Sequence, residues 1–224
     1  MNTNLEKFSL NGDAPIVYPK KIGIELYNWC VPCSEVFVKF EKFRSDEDRI
    51  FMIGVWYLER NKDSYHNEDP YVWTYRNFLA KSYFAEYAII EDFIEFIREM
   101  EFRRIWYWKD ELNIWKNLKD KYSGIDFLDF KWVSLSIIFV SEPILVKGVL
   151  NLDFKEIGNA MYNGRIIRTV LCEEGDYDEA LAFYRGSCQN DPYKDDNIYK
   201  IENYNKSFVS VFQEILQYLR RYHT

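Results

Sequence analysis

Between Ala80 and Tyr122 the chain reads AKSYFAEYAIIEDFIEFIREMEFRRIWYWKDELNIWKNLKDKY. Tyr83, Tyr87, Ile90, Ile94 and Ile97 recur at helical spacing, and Ile89, Phe93, Phe96 and Met100 form a second row beside them, which makes a wide apolar helix face. Glu86, Glu91, Glu95 and Glu99 are expected on the solvated side. Near Phe102 the pattern gives way to Arg103-Arg104-Ile105-Trp106-Tyr107-Trp108, too aromatic and too short for another helix, so it reads as a strand. Leu112, Trp115 and Leu118 then restore helical spacing, with Lys116, Lys119 and Lys121 toward water. A helix of this length and width needs a large partner surface, most naturally a sheet.

The rest of the chain has the elements to build that sheet. Ile22–Tyr27 reads as a strand, and Val36–Phe43 as another, with Val36, Val38 and Phe40 alternating against Phe37, Lys39 and Glu41. Ile50–Leu58 is continuously apolar apart from Gly54, as a strand buried on both faces would be. Tyr71–Tyr75 predicts a short strand, Trp132–Val140 a hydrophobic one stopped at Glu142-Pro143, and Ile144–Leu150 a neighbour for it. Arg165–Cys172 predicts a further strand. Helices are expected over Asp153–Tyr162, Asp176–Tyr184 and Ser207–Tyr222, the last with Arg220 and Arg221 suited to its C-terminal dipole. Residues 1–20 read as an N-terminal arm broken by Gly12, Pro15 and Pro19, and 21–224 as one α+β domain with a central mixed β-sheet flanked by helices.

Bulk properties narrow the function classes. A chain of 224 residues can bury a real core, and aromatics at 19% imply that Phe, Tyr and Trp build it. A net charge of −7 argues against nonspecific nucleic-acid binding and suits a basic protein or peptide better. No run approaches the roughly 18–20 apolar residues of a membrane span, and Met1–Lys7 lacks the apolar core of a secretory signal. Four cysteines make no disulfide framework in a chain this long, so a reduced intracellular setting is expected.

Candidate chemistry is sparse. Trp29-Cys30-Val31-Pro32-Cys33 reads like a thioredoxin active site. A lowered thiol pKa needs a helix N-terminus there, whereas the residues that follow alternate like a strand. Two ordinary core thiols are the plainer reading of Cys30 and Cys33. Cys172 and Cys188 lack the spacing of a zinc pair, no metal site is expected, and His66 and His223 are expected to be solvated. No glycine-rich phosphate loop occurs.

Read in order, several segments resemble the catalytic domain of the CREB-binding-protein family of histone acetyltransferases. Val36-Phe37-Val38-Lys39-Phe40-Glu41 is similar to its Phe-x-Phe-Glu strand and Phe51-Met52-Ile53-Gly54 to its Phe-Phe-Gly strand. Phe93–Met100 resembles its Tyr-Leu-Glu-Tyr-Val-Lys-Lys-Leu helix, Ile105-Trp106 its His-Ile-Trp strand end, and Leu112–Leu118 its tryptophan-bearing second helix. Cys172–Arg185 resembles a Cys-Asp-Leu-Met-Asp-Gly segment near its end.

The resemblance implies an acetyltransferase-like fold with acetyl-CoA along one sheet edge. It also implies transfer of the acetyl group to a lysine amine, a histone tail as the basic partner, a role in transcription and a nuclear location, the cytoplasm being the other expectation. On its motifs Trp106 shapes the site, and Lys81-Ser82 stands for the Arg-Thr pair that holds the cofactor's phosphates. Arg76-Asn77-Phe78 falls at a Leu-Asp-Ser cofactor triplet and keeps none of it, an alternative register placing Leu58-Glu59-Arg60 there, and Trp115 precedes Lys116 where the family has the tyrosine proposed as acid. Lysine at that position implies weak or lost catalysis. Three readings therefore stand: a divergent lysine N-acetyltransferase domain, a non-enzymatic interaction module with an acidic aromatic surface, and a thiol oxidoreductase through Cys30 and Cys33.

Overall fold

The computed structural model describes residues 17–23, 34–43, 49–60, 71–127, 129–186 and 191–223. Its organising strand is β2 (Glu35–Lys42), where the period-two pattern buries Val36, Val38 and Phe40 on one face of the sheet and Phe37 and Glu41 on the other, with the half-buried Lys39 between them. Two antiparallel strands follow it, β3 (Ile50–Arg60) and β4 (Tyr71–Leu79). On its other side β5 (Arg104–Tyr107) and then β6 (Lys131–Ser134) add in parallel, which gives the order β4-β3-β2-β5-β6. The short strands β1 (Val17–Tyr18) and β7 (Leu145–Val146) pair separately, antiparallel. This is the expected α+β architecture, a mixed five-stranded sheet with helices over it.

Helix α1 (Glu86–Glu99) buries Ile89, Ile90, Phe93, Ile94, Phe96 and Ile97, the two apolar rows, against one face of the sheet. Helix α2 (Glu111–Lys121) lies beside it and inserts Trp115 among Phe40, Phe93, Phe127 and Trp132, with ring centroids 4.9 to 6.3 Å away. Such edge-on and tilted pairs contribute about 0.5–1.5 kcal/mol each beyond area burial. The opposite face belongs to α6 (Asp196–Tyr222), whose Phe208, Val209, Val211, Phe212, Ile215, Leu216 and Leu219 pack on Phe37 and Trp106. At 27 residues it is about 40 Å long, enough to cross the sheet. Asp195 caps it by accepting from the amides of Asn197 and Ile198. The shorter helices α3 (Leu135–Ser141), α4 (Phe154–Asn163) and α5 (Tyr177–Gly186) complete the cover.

Several expectations change. Strand β4 continues through Leu79, nearly twice as long as expected, and a turn over residues 81–85 follows, so the central helix starts at Glu86. The hydrophobic strand over Trp132–Val140 is split: Ser134 turns its hydroxyl onto the Ile137 amide as a helix cap, and Leu135–Ser141 is helical. Its alternation was too weak to tell strand from short helix. Leu145–Val146 pairs with β1 and not beside β6. Residues 165–172 form no strand, since the amides of Arg168 and Thr169 bond to the Glu214 carboxylate and that of Cys172 to Ser207 Oγ.

Glu86, expected in water, is 1% exposed, and it accepts from the Ile50 amide, Lys121 Nζ and Tyr122 Oη at 2.8, 2.7 and 2.5 Å. His223, also expected in water, is buried, with its Nδ1 2.5 Å from the Pro19 carbonyl. His66, Cys30, Cys33, Cys188 and most of the strand expected over Ile22–Tyr27 lie outside the described residues.

Candidate functional site

Two parallel strands ending side by side leave a crevice beyond their carboxyl ends, the usual ligand position in open sheets. Here β5 ends beside the middle of β2, which runs on to Lys42, so the crevice lies past the end of β5 and over the second half of β2. The second half of β2 supplies Lys39, Glu41 and Lys42, and the turn after β5 supplies Trp108, Lys109, Asp110 and Glu111, to a cleft of about 640 Å³. That volume falls within the range of small-ligand sites, roughly 300–1,000 Å³. Trp108, Phe154, Tyr204 and Phe208 build one wall, in which Phe154 and Phe208 stack with centroids 3.8 Å apart. The N-terminal turns of α2, α4 and α5 also reach the cleft, bringing Glu111, Phe154 and Tyr177. Their exposed rim carries Lys109, Asp110, Asp153, Lys155 and Glu174.

The floor is charged. Lys39 Nζ lies 3.7 Å from Glu111 Oε1 and 5.1 Å from the centre of the Phe208 ring. The Glu111 side chain is 5% exposed and that of Lys39 22%. Burial alone would lower the lysine pKa, but Glu41 and Glu111 outweigh it and hold the ammonium above its ordinary value. Lys39 is therefore a fixed cation.

Glu41, 2% exposed, accepts from Tyr177 Oη at 2.6 Å and from Asn205 Nδ2 at 2.8 Å. Burial raises its pKa, opposed by Lys39 and by the two hydrogen bonds. Asn205 also donates to the Lys39 carbonyl at 3.2 Å and accepts from Tyr75 Oη at 3.1 Å, so it ties α6 to two strands, β2 and β4. Gly54, paired with Lys39 across β2 and β3, leaves the space that this asparagine fills. Burial pushes the Tyr177 phenol well up, with Glu41 adding to it, and burial raises Tyr204 to about 12.

The residues singled out from the sequence lie elsewhere. Trp106 is 1% exposed on the α6 face, flanked by the guanidinium groups of Arg104 and Arg220, each 5.5 Å from its ring. Trp115 is 4% exposed on the opposite face, and Lys116 beside it points to solvent. Arg76 and Asn77 are on β4, with Arg76 over Phe78 and Phe96, while Lys81 and Ser82 follow that strand. None of the seven lines the cleft, and the sheet separates Trp106 from Trp115.

Lys39, Glu41, Glu111, Tyr177 and Asn205 were not singled out from the sequence. One signal was available, namely two charged residues on a strand that a mixed sheet buries on both faces.

The sequence matches no protein-family model, and it matches no curated protein. Among solved structures it is similar to the family B DNA polymerase of the hyperthermophilic archaeon Pyrobaculum calidifontis, with 14% identity and a TM-score of 0.53. The likeness covers 83% of this chain and 24% of the polymerase chain, so this chain spans about a quarter of that protein. At that identity it is a likeness of fold.

Proposed function

We propose that this domain is a non-catalytic binding module that seats the end of a single nucleic-acid strand in the cleft past the end of β5 and over the second half of β2. One observation carries the reading: past the end of β5 the cleft sets the edges of the largely buried Trp108, Phe154, Tyr204 and Phe208 beside a mixed rim in which Lys109 and Lys155 alternate with Asp110, Asp153 and Glu174. The fold likeness to a DNA polymerase supports the ligand class. The net charge of −7 limits the contact to a short strand end and speaks against a long backbone track. The absence of turnover in this reading rests on Lys39, whose ammonium pairs with Glu111 at 3.7 Å and is held in its charged form, so it offers neither a free base nor a nucleophile.

Fluorescence anisotropy with a labelled single-stranded oligonucleotide tests it. Binding is expected with a shallow salt dependence, a log–log slope of about −1.4 to −2.1 for two or three phosphates, and Lys109→Glu with Lys155→Glu should abolish it. Binding unaffected by that pair, or no binding at all, refutes the proposal. Acetyl transfer to a basic protein, implied by the sequence resemblance, is the rival proposal. Calorimetry with acetyl-CoA decides it, using Lys116→Ala as the site control because Lys116 is exposed. Trp106→Ala would chiefly disturb the core and cannot serve.

A further inference from the structure

The cleft floor has the ingredients of a cation site but a different occupant. Metal-assisted phosphoryl transfer, in polymerases and nucleases among others, holds paired divalent ions between carboxylates. Here Glu41 and Glu111 converge from β2 and from the start of α2, with Glu174 and Asp153 on the rim. Yet among the described residues no three His, Cys, Asp or Glu side chains are arranged to hold a metal ion. Lys39 projects from the same face of β2 as Glu41 and puts its ammonium 3.7 Å from Glu111, with the Phe208 ring on its other side. A divalent ion would have to approach this tethered charge within the radius where like charges repel strongly in a poorly solvated site.

We propose that Lys39 is a built-in counter-cation that occupies the carboxylate cluster in place of a divalent metal, so the cleft works without metal and excludes it. The ammonium pairs with Glu111 beside Glu41, whose own oxygens accept from Tyr177 and Asn205, and it cannot be removed by a chelator. It also supplies no Lewis acid and no metal-bound water, so it keeps the charge balance of such a site while withholding its chemistry. The inference concerns the same cleft as the strand-binding proposal and does not need that ligand. Its readout is metal alone, and failure of oligonucleotide binding would leave it standing.

The experiment is Mn²⁺ titration, followed by electron paramagnetic resonance and by thermal unfolding, of the wild-type chain, Lys39→Gln and Lys39→Asp. The wild type should show no cleft-bound Mn²⁺ and the same Tm in EDTA as in Mn²⁺. Lys39→Asp should bind Mn²⁺ at least about tenfold more tightly than the wild type and should unfold at a higher temperature with the ion than in EDTA. Lys39→Gln, which removes the charge without adding a carboxylate, should show a smaller gain and serves if the aspartate variant does not fold. Wild-type Mn²⁺ binding that is lost in Glu111→Gln overturns the proposal. So does a folded Lys39 variant that gains no affinity for the ion.

Discussion

Gly54→Ala tests whether the cleft floor is held together from the sheet side. A Cβ at Gly54 would overlap Oδ1 of Asn205 and lie 2.6 Å from its Cγ and 3.0 Å from Tyr75 Oη. The atom it meets is no free side-chain end. Asn205 is 0% exposed and makes bonds to Glu41, Lys39 and Tyr75 at 2.8, 3.2 and 3.1 Å. The methyl must therefore either shift β3 against α6 or expel the asparagine. Overpacking of this kind costs about 1–3 kcal/mol. Leaving the buried Glu41 carboxylate and the Lys39 carbonyl short of a donor adds about 1–3 kcal/mol more. The expected loss is about 3–5 kcal/mol, a large part of the roughly 5–15 kcal/mol that stabilises an ordinary domain.

Urea unfolding followed by tryptophan fluorescence gives the number. A double-mutant cycle with Asn205→Ala gives the mechanism, because truncating the asparagine removes the obstacle. Gly54→Ala should then cost at least about 1.5 kcal/mol less in that background than in the wild type. A Gly54→Ala variant within 1 kcal/mol of wild type, or costs that simply add, would refute the reasoning.

Three further outcomes follow from the core and from buried groups. Glu86→Ala leaves the Ile50 amide and the Tyr122 hydroxyl without their acceptor, with the half-exposed Lys121 free to reach water, and should cost about 2–4 kcal/mol, whereas Glu86→Gln, which still accepts hydrogen bonds, should cost less; chemical denaturation compares them. Trp106→Ala should cost about 3–5 kcal/mol as a core deletion, and equal stability to wild type in the same assay would contradict its packing. Burial raises the phenols of Tyr177, Tyr184 and Tyr204 above their unfolded value of 10.0. Their contribution is complete below pH 10 and is lost as pH rises toward the folded values, by up to about 1.4 kcal/mol per tyrosine per pH unit. Absorbance near 295 nm should show these phenols ionising only together with unfolding, and early ionisation in the folded protein would rule the account out.

Periodicity carried the reading of the sequence as far as periodicity can. The paired apolar rows of α1, the strand pattern of β2, the glycine-marked β3 and the amphipathic end of α6 were all legible, and with them a mixed sheet under helices. These signals are local, because each residue's neighbours along the chain decide its face. Where the apolar run was too short to show a period, as over 132–140, one serine cap chose helix over strand. Where backbone partners came from distant side chains, as over 165–172, Glu214 and Ser207 replaced a strand neighbour.

The candidate site was the least legible part. Lys39, Glu111, Tyr177 and Asn205 lie on four elements and are separated in sequence by up to 166 positions, the distance from Lys39 to Asn205. Nothing along the chain says that a strand lysine and a helix-start glutamate will share one cleft floor, and the aromatic residues that drew attention are core. The sequence alone determined that this chain would build an aromatic α+β core on one sheet. Only the tertiary structure decided which charges that sheet brings together, because the fixed position of Lys39 depends on carboxylates that folding carries to it.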